Sequence, residues 1–126
     1  MTGGSGQQRR DEGRQARERR GRRAERMATI YLLLKGFRII ERRFKVPVGE
    51  IDIIAVKGSR LAFVEVKARA DVEACEASIT PKLRARVRRA ADVWMGGHDC
   101  YRDYDLGFDL IFIRPLQWPL YLKDGL

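Results

Sequence analysis

The sequence predicts one α/β domain whose elements follow the order α-β-β-β-α-β. The stretch 49–69 consists of two apolar segments with alternating side chains, joined by a short turn at Lys57-Gly58-Ser59-Arg60, which is typical of a β-hairpin. Two other segments, 22–35 and 80–95, repeat apolar residues at helical spacing on either side of the strands. A chain of 126 residues has room for one hydrophobic core, so these elements are expected to share a single domain.

The charge balance points to a polyanionic partner. Lys and Arg number 26 against 17 Asp and Glu, which gives a formal net charge of +9. Such an excess attracts nucleic acid, although a merely solvated basic surface is the alternative. No apolar run approaches the roughly 20 residues that span a bilayer, and the N-terminus lacks a secretory core. We therefore expect a cytoplasmic protein without a membrane partner, in which Cys75 and Cys100 are reduced thiols.

Residues 1–20 form a polar, arginine-rich segment with almost nothing to bury. We expect a disordered basic arm here, ahead of a folded domain at 21–126. Such an arm could add affinity for any nucleic acid through counterion release, without reading sequence. A solubilising tail with no specific partner is the alternative.

The first helix is predicted over 22–35, with Gly36 in the position that follows its C-terminus. Its predicted packing face consists of Ala24, Ala28, Tyr31, Leu32 and Leu34. Glu25 lies beside this apolar stripe. Its carboxylate is expected either to lean into a cleft or to pair with a neighbouring arginine on the surface.

Three strands are predicted to form an antiparallel meander after this helix. The first covers 37–46, and Pro47 and Gly49 separate it from the hairpin. In the hairpin, strand alternation sends Glu65 and Lys67 to the face that also carries Leu61 and Phe63.

Asp52 of the preceding strand is expected to share a face with Glu50, Ile54 and Val56. A charged side chain on a strand face that is otherwise apolar needs a partner, a metal ion or a solvent-filled cleft. The acids and the lysine of the hairpin are therefore the first candidates for a functional site.

The second long helix is predicted to begin at Thr80-Pro81 and to end near Met95, after a loop at 70–78. Its polar face is almost wholly cationic, with Lys82, Arg86 and Arg89 at i, i+4 and i+7. This spacing favours contacts with phosphate, and a solvated face is the alternative.

The last predicted strand is 108–113, which Pro115 ends. The aromatic tail after Pro115 is expected to cover an edge of the core or to contact a partner chain. His98 lies in a loop with no obvious partner, and we expect it to be structural or exposed.

Asp52 and Glu65, near the ends of neighbouring strands, could bind Mg²⁺, which takes one or two carboxylates and completes its shell with water and phosphate oxygens. The backbone carbonyl of Val66 is a third candidate ligand. Lys67 points the same way as Glu65 and could hold the attacking water or stabilise charge that develops on phosphorus. A simple surface ion pair between Glu65 and Lys67 is the alternative.

The pattern of Asp52 followed by Glu65-Val66-Lys67 resembles the signature of the restriction-endonuclease-like PD-(D/E)XK nucleases. More of the chain is similar to the YraN-like family, small proteins close in layout to Holliday-junction resolvases. The residues that carry this likeness are Gly21, Ala24-Glu25, Tyr31-Leu32, Gly36, Gly49-Glu50-Ile51-Asp52, Ile54-Ala55, Phe63-Val64-Glu65-Val66-Lys67, Arg69, Lys82 and Phe108-Asp109.

The resemblance implies a restriction-endonuclease-like core, α-β-β-β-α-β, with a central mixed sheet flanked by helices. It implies metal ligation by Asp52 and Glu65, with Lys67 as the catalytic lysine and Glu25 completing a resolvase-type site. Mg²⁺ or Mn²⁺ is then the expected cofactor. Nucleic acid, in the first place DNA, would be held by four basic side chains, which are Arg69, Lys82, Arg86 and Arg89.

The first hypothesis is therefore a metal-dependent endonuclease that hydrolyses DNA phosphodiester bonds, including those of branched DNA such as Holliday junctions. Resolvases of this layout act as symmetric dimers, so a homodimer is also expected. The alternative is a non-catalytic nucleic-acid-binding module that keeps the nuclease fold. A third hypothesis is a docking protein whose basic arm contacts an acidic protein.

Overall fold

Within residues 3–126, three helices and a single five-stranded sheet account for most of the structure. The computed structural model describes residues 3–126, without the side chains of residues 3–5 and 20. The helices are α1 (Gly3–Leu34), α2 (Val72–Ala77) and α3 (Pro81–Gly96), and a 3-10 turn covers Asp99–Tyr101. The strands are β1 (Arg38–Val46), β2 (Gly49–Lys57), β3 (Arg60–Ala68), β4 (Asp105–Ile113) and β5 (Leu120–Leu122).

The sheet is mixed, in the order β1-β2-β3-β4-β5. Strands β1, β2 and β3 form the predicted antiparallel meander, with Gly58 at φ +58° in the hairpin turn. Strand β4 then runs parallel to β3, and β5 runs antiparallel to β4 along its far half. The predicted α/β fold with a mixed sheet between helices is confirmed.

Helix α1 is longer than predicted, because it begins at Gly3 and continues through the segment that was expected to be disordered. Gln, Glu, Ala and Arg favour helix, and an ion pair between Arg14 and Asp11 at 2.9 Å supports the exposed turns. The division of the chain into an arm at 1–20 and a domain at 21–126 stays a prediction. Between residues 3 and 126, no helix combines the length and the apolar character that crossing a membrane requires.

Helix α1 ends just before Gly36, as the sequence predicts. Gly36 adopts φ +92°, which a residue with a side chain rarely adopts. The Phe37 amide donates to the Leu32 carbonyl at 2.9 Å, and the Gly36 amide donates to the Leu33 carbonyl at 3.1 Å. These two bonds are those of a Schellman motif.

The sheet separates two apolar layers. On one face α1 buries Ala24, Ala28 and Leu32 against the sheet, whereas Leu34, predicted to pack, is exposed. On the other face α3 buries an apolar stripe centred on Val87 and Trp94. Both faces of the central strands are therefore covered, which explains their nearly continuous apolar sequence.

Helix α3 begins as predicted: the Thr80 hydroxyl accepts from the Leu83 amide at 3.1 Å, and Pro81 occupies the first turn. Helix α2 corrects the prediction of a loop at 70–78. The Asp71 carboxylate caps this helix by accepting from the Ala74 amide at 2.8 Å. Only one of its six residues, Cys75, is buried, so the short segment carries little periodic signal.

The tail after Pro115 covers an edge of the sheet, as one of its two expected roles requires. Strand β5 pairs with β4, and Tyr121 packs with the core on the α1 side. Beneath it, the fully buried carboxylate of Asp109 accepts hydrogen bonds from Arg60 at 2.5 Å, from the Tyr121 hydroxyl and from the Asp124 amide at 2.8 Å. This network attaches the C-terminal segment to the sheet.

Candidate functional site

The two predicted acids lie where strands β2 and β3 separate. The paired residues of these strands run from Lys57 and Arg60 to Ile53 and Val64, which leaves Asp52 and Glu65 as the next opposed positions. Beyond the last pair, the side-chain carboxylate of Asp52, rather than a backbone carbonyl of β2, accepts a hydrogen bond from the backbone of β3. Its Oδ2 accepts from the Val66 amide at 2.8 Å.

Strand alternation in β2 breaks at the same point. Ile51 packs in the α3-side layer together with Ile54, although regular alternation would place these two residues on opposite faces. The prediction that Glu50, Asp52, Ile54 and Val56 share one face by regular alternation is therefore wrong at the start of β2. The distortion turns Asp52 towards β3 and the neighbouring cavity.

Glu65 is buried, with 5% of its surface exposed, and it forms an ion pair with Lys67. Lys67 Nζ lies 3.3 Å from Glu65 Oε1. The second oxygen, Oε2, is buried and has no hydrogen-bond partner among the described residues. A buried carboxylate oxygen without a donor is unusual and calls for a bound cation, a water molecule or a ligand group.

The two carboxylates lie within electrostatic range of each other. Burial raises the pKa of Asp52 to about 6, against the opposing effect of the Val66 amide. Burial and then the negative charge of Asp52 raise the pKa of Glu65 to about 8, and Lys67 opposes this shift. Both acids are therefore destabilised in their charged forms, which a divalent cation between them would relieve.

Glu25 satisfies both of its sequence-based expectations, because it lines a cleft and also pairs with an arginine. A cavity of about 400 Å³ beside Asp52 is lined by Glu25 and Glu50, and by Arg43 and Lys45 of β1. Within it, Arg43 Nε lies 2.5 Å from Glu25 Oε2. The negative charge of Glu25 also contributes to the raised pKa of Asp52.

The sequence interpretation missed Arg43. This residue adopts φ +55° within β1, a left-handed conformation that is uncommon for a residue with a side chain. It lies between Arg42 and Phe44, whose partners on β2 are Ile53 and Ile51, and therefore opposite Asp52. A run of two arginines in an exposed strand gave no signal that one of them would enter the cleft.

The residues present fit a magnesium ion. Asp52 and Glu65 supply two carboxylates, and the unpartnered Glu65 Oε2 offers a free ligand atom. Among the described residues, no three His, Cys, Asp or Glu side chains cluster as metal ligands. Mg²⁺ needs only one or two carboxylates, since water and substrate phosphate complete its octahedral shell. Ligation by the Val66 carbonyl stays a prediction, while its amide is bonded to Asp52.

One of the predicted phosphate-binding residues of α3, Arg86, approaches the start of β2. Gly49 has no room for a side chain, because an added Cβ would overlap the backbone oxygen of Arg86. This close approach holds the cationic part of α3 next to the start of β2, three residues from Asp52. Lys82 and Arg89 are exposed, and Arg86 is partly buried.

Arg69 is exposed just after β3, where its guanidinium donates to the Ala68 carbonyl at 2.8 Å. Among the side chains that the structure describes, none of the four predicted phosphate ligands takes part in an ion pair. His98 takes a structural position, as expected: its ring stacks on Trp94, and Nδ1 donates to the Trp94 carbonyl at 2.7 Å.

The family model described as "Uncharacterised protein family UPF0102" matches residues 24–113, a segment that contains both acids, Lys67 and Glu25. The chain belongs to this family. UPF0102 is the YraN-like family of the restriction-endonuclease-like superfamily, so the resemblance found in the sequence is confirmed.

Relatives from several bacteria carry the same family name. The UPF0102 protein of Methylorubrum populi is 46% identical over 112 residues, which cover 89% of this chain and 90% of the relative. That of Parvibaculum lavamentivorans is 43% identical over 107 residues, 85% of this chain and 80% of the relative. That of Brucella canis is 44% identical over 100 residues, 79% of each chain.

Proposed function

We propose that this UPF0102 protein is a metal-dependent endonuclease that hydrolyses DNA phosphodiester bonds, with branched DNA such as Holliday junctions as a substrate. One observation carries the proposal: at the fork between β2 and β3 the buried carboxylate of Glu65 lies next to the partly buried carboxylate of Asp52 and beside Lys67, and Glu65 Oε2 has no hydrogen-bond partner among the described residues. Such a constellation is unfavourable in the absence of a cation and suits one that binds phosphate.

In this proposal Asp52 and Glu65 hold Mg²⁺ or Mn²⁺. When bound, the ion supplies Lewis-acid stabilisation of the negative charge that develops on the phosphate. Lys67, held by Glu65 at 3.3 Å, positions the attacking water or stabilises the same charge from its own side. The Val66 amide fixes the Asp52 carboxylate at the edge of the cleft.

Glu25 and Arg43 form the outer wall of the cleft. Arg43 can exchange its carboxylate partner for a DNA phosphate, which an arginine can contact through two parallel hydrogen bonds. Glu25 is then released to bind water or the cation. Arg69, Lys82, Arg86 and Arg89 would hold the flanking phosphates, and a symmetric homodimer in the cytoplasm remains part of the proposal.

A non-catalytic nucleic-acid-binding module is the second candidate. It is favoured by the pairing of Glu25 with Arg43, which occupies the carboxylate that would complete a resolvase-type site. It would use the same cationic residues of α3 and leave Asp52 and Glu65 without a chemical role.

Incubation with branched and linear DNA, with Mg²⁺ or Mn²⁺ and with EDTA, separates the two candidates. We expect cleavage by the native protein, lost in Asp52→Ala and in Glu65→Ala, and lowered about 10²–10³-fold in Lys67→Ala. Glu76→Ala, which removes an exposed acid of α2, is the matched control and should cleave normally. Binding without cleavage in either metal would support the module, and cleavage that survives in both acid variants would exclude this site.

A further inference from the structure

An apolar groove lies on the flank of α1 opposite to the candidate metal site. Its volume is about 380 Å³, and it is lined by Met27, Ile30 and Leu34 of α1 and by Leu116 and Trp118 of the segment before β5. The Trp118 side chain is 79% exposed and that of Leu34 is 74% exposed. Large apolar residues grouped in this way on a surface indicate a binding site.

The position of this groove follows from helix geometry. With 3.6 residues per turn, Met27 and Leu34 lie about half a turn around α1 from Glu25, which faces the metal cleft. Between the two flanks, the exposed top of the helix carries Arg19, Arg23 and Arg26, just over a quarter to just under half a turn from Glu25. A ridge of three arginines therefore connects the cleft of the acids with the apolar groove.

We propose that the groove binds an unpaired base of a DNA strand whose phosphates cross this arginine ridge from the candidate metal site. The inference rests on the proposed function in taking DNA as the ligand, and it deepens that function by specifying a substrate with an unpaired nucleotide near the cut. Sites for single-stranded DNA combine a cationic track for the backbone with an exposed aromatic ring on which a base stacks. The ridge supplies the first and Trp118 the second.

Charge favours this occupant over a second copy of the chain. A two-fold contact through the groove would set the α1 helices of both copies side by side, with their arginine ridges facing each other. Opposed like charges are costly in an interface, whereas a DNA strand neutralises them. The backbone at the tryptophan is also tied to the end of β4, because Arg114 donates a hydrogen bond to the Trp118 carbonyl at 3.1 Å.

The fluorescence of Trp118 tests the inference directly. The only other tryptophan, Trp94, is 1% exposed in the core, so a ligand that stacks on the surface changes the signal of Trp118 alone. A thymidine oligonucleotide and a blunt duplex of equal length are titrated in EDTA, which prevents metal-dependent cleavage. We expect quenching by the single strand and not by the duplex, and stronger quenching by a duplex that carries a single-stranded flap.

Anisotropy of a labelled single strand measures affinity in the variants. Trp118→Ala should weaken binding about 5- to 150-fold, since stacking of a base contributes about 1–3 kcal/mol, while Trp118→Phe should keep most of the affinity. Leu106→Ala, which truncates an exposed apolar side chain of β4, is the control and should bind normally.

Unchanged affinity of Trp118→Ala for the single strand, or equal quenching by duplex and single strand, would overturn the inference. So would a Trp118 signal that responds only to vesicles of anionic phospholipid, or a dimer in sedimentation that Trp118→Ala dissociates. Because binding is measured in EDTA, these results are independent of cleavage. If the protein cleaves DNA but its Trp118 fluorescence does not respond to single strands, the proposed function stands and this inference is wrong.

Discussion

Replacement of Glu65 by Gln should stabilise the protein at neutral pH in the absence of divalent cations. The pKa of this carboxyl rises from its ordinary 4.5 to about 8 in the folded chain, first through burial and then through the charge of Asp52. Between these two pH values the unfolded chain releases the proton while the folded chain retains it, so stability falls as pH rises. At about 1.4 kcal/mol per pKa unit, the ionisable group costs the folded state about 3 kcal/mol at pH 7 relative to pH 4.

Urea unfolding in EDTA, followed by the fluorescence of the buried Trp94, measures this difference. Native protein and Glu65→Gln should have similar stabilities near pH 4, and the variant should become the more stable one between pH 5 and 8. Glu76→Gln makes the same chemical change at an exposed position of α2 and should follow the native curve.

A variant that is less stable than the native protein at pH 7 would refute this reasoning. The same holds if Glu65→Gln and the native protein lose stability in parallel across this pH range. Either result would mean that Glu65 is held as a satisfied ion pair with Lys67 and needs no cation.

Three other predictions test the packing around the site, the Asp109 network and the role of residues 1–20. Gly49→Ala should lower the free energy of unfolding by about 1–3 kcal/mol in chemical denaturation, because the new methyl group overlaps the backbone of α3. Gly21→Ala, which has open space around it in α1, should raise the free energy of unfolding by up to about 1 kcal/mol. Equal effects of the two substitutions would contradict the close approach of β2 and α3. Asp109→Asn should lower the free energy of unfolding by about 3 kcal/mol or more, because it leaves buried donors of its network unpaired. Asp124→Asn, at an exposed partner of Arg60, should cost much less, and the reverse order would contradict the network. Deletion of residues 1–20 should flatten the salt dependence of DNA binding by about 0.9 in log–log slope for each phosphate that this segment neutralises, and an unchanged slope would remove it from the interface.

Local signals in the sequence were sufficient for most of the fold. The Gly36 C-terminus of α1 and the Thr80 cap of α3 depend on residues within one turn of the helix ends, so they could be read directly. Strand β5 was not predicted, because three residues after Pro119 carry no alternation, and their pairing depends on β4, which is distant in sequence. Helix α2 was not predicted either, because its six residues are too few to show a helical period.

The candidate site was predictable in part. A two-residue turn at Gly58-Ser59 fixes the hairpin register, and this register alone sets Asp52 opposite Glu65. The fork between the strands was not predictable, since it arises where Asp52 takes the place of a backbone partner and alternation fails. The position of Arg43 in the cleft could not be predicted, because its left-handed conformation is usually signalled by a glycine or an asparagine and the sequence has an arginine there.

The central claim is that Asp52 and Glu65 meet in one pocket and bind a divalent cation. Electron paramagnetic resonance of Mn²⁺ titrated into the folded protein measures that binding without reference to any substrate. We predict one bound ion per chain, lost in Asp52→Asn and in Glu65→Gln and retained in Glu76→Gln. A native protein that leaves all Mn²⁺ free, or acid variants that bind it as tightly as the native chain, would contradict the account.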